Sequence, residues 1–206
     1  MLLAIDTSAG TSVAIVDRDA GVLAEHSSDD TRRHAEVIDG LIIACLEQSG
    51  IAVTALSGVA VGMGPGPFTG LRVGIAAARA FAFGAGKPVV PVVSHDAIAF
   101  GITEPTLVVT DARRREVYWS AYSGSDEQGL PIRTQGPELA RPDDLATAVD
   151  GFAGYRRLDA AVVSGASIGL LAEGLYLHGR PFAGNEAMYL RSPDVTMSAG
   201  PKRVTA

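Results

Sequence analysis

The sequence predicts an α/β fold in two lobes, each a mixed sheet with helices, with the second lobe reduced. Three observations predict it. Short apolar runs bounded by Gly, Asp or Ser alternate with longer patterns of helical spacing. Through residue 101 the order reads strand, strand, strand, helix, strand, helix, strand, helix. A strand ending in an acid then restarts the pattern, because Asp111 closes TLVVTD much as Asp6 closes LLAID. The boundary is expected near residue 103, giving lobes of 1–103 and 104–206.

LLAIDTS and SVAIVDR read as strands joined by the tight turn AGT, and VLAEHSS as a third strand beyond the turn at Arg18–Gly21. Thr31 is placed to cap a helix over 32–48 that ends at Gly50. LSGVAVG is a short apolar run, hence a buried strand. It enters GMGPGP, three glycines and two prolines in six residues, and then a helix over about 69–84 with Thr69 as its cap. VVPVV is a strand, and SHDAIAFG a short helix capped by Ser94. Beyond the boundary, TLVVTDARRREVYWSAY reads as strand, turn, strand. SGSDEQGLPIRTQGPE reads as a surface loop, AAVVSGASIG as a strand with a glycine turn, and LLAEGLYLHG as a helix.

Composition narrows the function. At 47% apolar and 19% charged residues the chain can bury a core. No run approaches the ~18 apolar residues of a membrane span, and MLLAIDTS lacks the cationic start of a signal peptide. A cytoplasmic protein with no membrane contact is expected. Cys45 is the single cysteine, which excludes an internal disulfide. A net charge of −6 argues against gripping RNA unaided, and Arg113-Arg114-Arg115 reads as a solvated turn.

Four segments carry possible chemistry. The hairpin AIDTSAGTSVAIVD offers Asp6, Thr7, Ser8 and Thr11 to a phosphate or metal. Its restart at Asp111 suggests two hairpins facing across a cleft, as in the actin/Hsp70/sugar-kinase architecture. A small ATP-dependent phosphotransferase with Asp6 and Asp111 around Mg²⁺ is one reading of that pair. The glycine turn lacks the Lys-Ser/Thr of a Walker loop, and Pro65 and Pro67 remove two donors. Gly64, Pro65, Gly66, Thr69 and Gly70 are therefore expected to shape the turn and aim the helix.

That helix carries only Arg72 and Arg79 between Leu71 and Phe83. The helix before it has a stripe of Ile38, Leu41, Ile42 and Cys45, widened by Val37. Surplus apolar surface on both suggests a partner-facing patch of Val37, Ile38, Leu41, Ile42, Cys45, Leu71, Ile75, Ala76, Arg79 and Phe83. GASIG, Gly165–Gly169, matches a nucleophile elbow, yet the only later histidine is His178. The four histidines include no i,i+4 pair for a metal, and His34 is expected at a surface or cap.

Together AIDTSAGTSVAIV, RHAEVI, GPGPFTGLRVGIAAARAFAF, DARRREVYW and AMYLR resemble the TsaB (YeaZ) family over nearly the whole chain. The resemblance implies a two-lobed actin/Hsp70-like fold. It implies a non-catalytic paralogue of TsaD in the synthesis of threonylcarbamoyladenosine, next to the anticodon of tRNAs reading ANN codons. TsaD holds a metal with an HxxxH pair. The matching helix here has His34 followed by Ile38 and Asp39, so no catalytic residue, no metal and no required cofactor are expected, with weak ATP or ADP binding at most. The implied partners are TsaD as a heterodimer through the helices over 32–48 and 69–84, TsaE in a ternary complex, and a second copy when alone. Contact with tRNA is implied only through the complex. Arg115 stands where the family often has Gly.

Overall fold

The computed structural model describes residues 1–191; residues 192–206, the end of the expected second lobe, lie outside that description. The first half runs β1 (Leu2–Asp6), β2 (Thr11–Asp17), β3 (Gly21–Ser28), α1 (His34–Ser49), β4 (Gly58–Gly62), α2 (Phe68–Ala85), β5 (Val89–Val92) and α3 (Ser94–Ala99). The second runs β6 (Thr106–Asp111), β7 (Val117–Ser125), β8 (Pro131–Ala140), α4 (Leu145–Ala148), β9 (Arg156–Ala160) and α5 (Gly165–Leu177).

Two sheets result, ordered β3-β2-β1-β4-β5 and β8-β7-β6-β9. Central β1 is antiparallel to β2, with Asp6 opposite Ser12, and parallel to β4, with Leu2 opposite Gly58. Every residue of β1 and β4 is buried, because helices cover both faces of the sheet. The period of two sorts the side chains. Leu3, Ile5, Val13, Ile15, Val59 and Val61 form one core with Ile38 and Cys45 of α1 and Leu71, Ile75 and Ala78 of α2. Leu2, Ala4, Ala14, Val16 and Ala60 face the opposite way, onto Ile168, Leu171 and Ala172 of α5. The second half of the chain thus returns one helix to the first sheet.

The second sheet buries Leu107, Val109, Val117, Trp119 and Ala121 against Leu145 and Val149. Helix α3 joins the lobes. Its Ala99 packs on Val108 and Tyr122 of the second sheet. Its fully buried His95 has Nδ1 2.8 Å from Ser120 Oγ and Nε2 2.9 Å from Thr110 Oγ1. Burial disfavours the charged ring and pushes the His95 pKa down to about 3.

Several local expectations are corrected. The surface loop over 123–138 is instead the end of β7, a turn and most of β8. Asp126 builds the turn by accepting from the amides of Gln128 and Leu130. β8 is an edge strand, where Pro131 and Pro137 and a polar face are tolerated. The strand expected at 160–169 is displaced: β9 is Arg156–Ala160, also an edge strand and therefore charged, and α5 already starts at Gly165. None of the three expected caps acts as one. The residue before α1 is Arg33, before α2 Pro67 and before α3 Val93, and none makes a side-chain cap. Ser164 does cap α5, accepting from the Ser167 amide.

Candidate functional site

The segment from Gly62 to Gly74 presses onto the end of β1 so closely that side chains are excluded. A Cβ on Gly62 would lie 1.7 Å from Asp6 Oδ2, and one on Gly66 2.7 Å from Ser8 O. One on Gly70 would lie 2.6 Å from Thr7 O, and one on Gly74 2.1 Å from Thr7 Oγ1. Gly64 has φ +99°, open to glycine at little cost. Thr7 fastens the contact: its hydroxyl donates to Gly70 O at 2.7 Å and accepts from Gly74 N at 3.1 Å. The spacing Gly66, Gly70, Gly74 is the signal that sequence reasoning passed over. The glycines let a helix and a strand end meet backbone to backbone, and Thr69 is simply exposed beside them.

Asp6 lies at the bottom of this contact and is 1% exposed. Oδ1 accepts from Ser8 N at 2.7 Å and Ser8 Oγ at 2.6 Å, and Oδ2 from Ser94 Oγ at 2.6 Å. Ser94 in turn accepts from Gly64 N at 3.0 Å, so the residue expected to cap α3 ties the glycine turn to Asp6. Burial outweighs these bonds and raises the Asp6 pKa to about 6. Asp111 has a different setting. It is 65% exposed, accepts from Arg113 N at 2.9 Å and pairs with the Arg113 guanidinium at 3.5 Å. Among the described residues no group of three or more His, Cys, Asp or Glu side chains is placed to hold a metal.

His34 is also corrected. It is 7% exposed, with Nδ1 2.7 Å from the buried Thr11 Oγ1. Gly70 leaves the room that a side chain would take from the ring. Arg113 is more than solvated. Residues 113–115 have φ of 65°, 54° and 63°, a left-handed run costing roughly 1–2 kcal/mol per residue. The Arg113 guanidinium donates to Thr31 Oγ1 across the lobes. Ser167 of GASIG lies in the first turn of α5, whereas His178 follows its far end.

The expected partner-facing set divides. Ile38, Cys45, Leu71 and Ile75 are core residues, since α1 and α2 lay those positions on the first sheet. Val37, Leu41 and Ile42 are half-buried. Ala76, Arg79 and Phe83 are exposed, Phe83 to 90%, and Ile43 of α1 is exposed as well. Part of α2 is covered by the chain itself, because the segment 183–191 lies along it as a strap. Ala183 N donates to Pro91 O and Met188 N to Met63 O. Arg79 donates to Asn185 O. The Arg72 guanidinium stacks 3.6 Å from the centre of the Phe68 ring, which itself packs on Tyr189 at 4.7 Å. Arg191 ends the strap by donating to Ala112 O and pairing with Glu116. No helix among the described residues is long and apolar enough to cross a membrane.

Comparison with known proteins fits this geometry. A family model described as TsaD, tRNA N6-adenosine threonylcarbamoyltransferase, matches residues 11–135. An uncharacterized protein of Mycobacterium tuberculosis is 44% identical over 146 residues, 70% of this chain and 66% of that protein. The tRNA threonylcarbamoyladenosine biosynthesis protein TsaB of Escherichia coli is 34% identical over 147 residues, 69% of this chain and 63% of that protein. The chain thus spans less than two thirds of these curated relatives. YeaZ from Pseudomonas aeruginosa, a solved structure, is 28% identical with a TM-score of 0.71, over 86% of this chain and 92% of that one. The two-lobed, actin-like arrangement is common to both.

Proposed function

This chain belongs to the TsaD family, among its TsaB (YeaZ) members, and on that premise we propose that it is a non-catalytic scaffold and activator subunit. It serves the complex that places threonylcarbamoyl on the adenosine next to the anticodon. It binds and stabilises a TsaD-type enzyme, helps to dock TsaE, and meets tRNA only within that assembly. It needs no cofactor of its own.

The observation that carries the reading is the outer face of α2. Ala76, Arg79, Ala80 and Phe83 stand exposed on an 18-residue helix whose other face is locked to the sheet. A nearly bare phenylalanine on a rigid helix is a ready anchor for a partner helix. The composition of α1 agrees: His34 is followed one turn later by Ile38, not by a second imidazole.

Sedimentation velocity of the chain, alone and mixed with TsaD from the same organism, tests this. The expected result is a homodimer that gives way to a one-to-one heterodimer. Ala76→Arg is expected to weaken the heterodimer by at least about tenfold with an unchanged thermal midpoint. An unaffected complex would overturn the reading. Ile75→Arg is no substitute, because Ile75 is buried and the fold would fail first.

A further inference from the structure

A groove of about 610 Å³ lies between the outer face of α2 and the strap. Ile75 and Ala76 form its floor, Arg72 and Arg79 flank that floor, and Glu186 and Tyr189 stand on the strap side. The two arginines are seven residues apart in sequence. They therefore share one helix face, about 10.5 Å apart along the axis.

Both arginines are exposed, and among the described residues neither pairs with a carboxylate. Other exposed arginines behave differently: Arg18, Arg156, Arg157 and Arg180 each hold an Asp or a Glu. Uncharged groups steady Arg72 and Arg79 instead. Arg72 Nε donates to the Tyr189 hydroxyl at 3.3 Å, and its guanidinium lies over the Phe68 ring. Arg79 donates to Asn185 O. Each of these hydrogen bonds uses one N–H of a group that carries five. The strap thus orders both cations and leaves most of their donors unused among the described residues. Glu186 is the one carboxylate lining the groove, and it pairs with neither.

A partner that covers Ala76 and Phe83 also covers these two cations. Taking a guanidinium out of water without a countercharge costs more than the surrounding contact returns. Supplying a carboxylate reverses the balance, because the fork of an ordered arginine pairs with it at little further loss of freedom. The apolar floor between the two arginines suits an apolar side chain and not a phosphate backbone.

We propose that Arg72 and Arg79 select the partner by charge: the groove receives a helix that presents two carboxylates about two turns apart, with an apolar side chain between them. This inference rests on the subunit reading, since it takes the outer face of α2 to be covered by the partner.

The test is the Kd of the heterodimer, from titration of this chain into TsaD of the same organism at several NaCl concentrations. The native complex should weaken by at least about tenfold between roughly 0.05 and 0.5 M salt. Arg79→Glu and Arg72→Glu should each weaken it by at least about tenfold at low salt and flatten the salt dependence, which a merely loosened strap would not do. Arg79→Lys should restore part of the affinity, and Glu186→Gln should strengthen the complex a few fold. Unchanged thermal midpoints for the Arg79 variants confirm the fold. A heterodimer that forms but ignores either charge reversal overturns the proposal and leaves the subunit reading standing. Reversals that weaken only a homodimer assign the groove to a second copy and also overturn it. If the native chain forms no heterodimer, both readings fall.

Discussion

Asp6 and Asp111 end equivalent strands, each at the mouth of a hairpin, and the two lobes treat them in opposite ways. Asp6 is followed by Thr7 and Ser8, whose hydroxyls fold the turn back onto it and onto α2. Asp111 is followed by Ala112 and Arg113, and among the described residues it bonds to and pairs with that exposed arginine. A helix start rich in glycine closes over the first; among the described residues no element closes over the second, which is 65% exposed. A repeated motif therefore does not make a symmetric site. One carboxylate is a buried structural pin and the other a surface charge.

The largest effect should come from crowding the pin. Gly62→Ala places a methyl on the Asp6 carboxylate and is expected to cost about 3 kcal/mol or more, read by urea denaturation. A change under ~1 kcal/mol would show that the Asp6 pocket yields and that the contrast is overstated.

The next effect is in pH dependence. Asp6 has a folded pKa of about 6, above its ordinary 3.8. Its contribution is complete below the ordinary value and is lost as pH rises through 6, a change of about 3 kcal/mol. His95 has a folded pKa near 3, below its ordinary 6.5. Its contribution is complete above the ordinary value and is lost as pH falls towards 3, and His34 acts in the same direction. From about pH 4 to 6 the two slopes oppose each other, so the native protein should show a nearly level stability. Asp6→Asn should unmask the histidine slope, giving a variant that weakens steadily on acidification. Parallel profiles for the two proteins, from urea unfolding at several pH values, would refute the assignment.

Thr7→Val sharpens the comparison at smaller scale. It leaves the Gly74 amide and Gly70 carbonyl without their hydroxyl, for a loss of about 2 kcal/mol measurable as a lower thermal midpoint. The smallest effect should be Asp111→Asn, within about 0.5 kcal/mol. A larger loss would mean that the second hairpin is more than a surface turn.

The sequence shows much of the first lobe. β1, β2, β4 and α2 were legible because their apolar patterns run unbroken from turn to turn, and Asp6 because a buried strand rarely ends in an acid without use for it. β8 and β9 were illegible for one reason: edge strands carry proline, charge and glycine, and so read as loop. The caps misled because Thr31, Thr69 and Ser94 are the right residues one or more positions from the right place, and Ser94 was needed by Asp6. The partner-facing set was too wide because apolar content cannot tell a helix packed on one side from one packed on two. Ile38, Cys45, Leu71 and Ile75 serve the sheet, and the strap engages Arg79, which was assigned to a partner. His34 and Arg113 were missed as neighbours because 79 residues of chain separate them.

The seam of Gly66, Gly70 and Gly74 has a mechanical consequence. Teeth without side chains mesh with Thr7 and Ser8, so any slide of α2 along β1 would drive those two residues into the helix backbone. A push delivered to Phe83 is therefore expected to pass beyond the helix. The contacts that would carry it run from the helix to the Asp6 turn and the central strand, and through Arg191 to the Ala112–Glu116 hairpin of the other lobe.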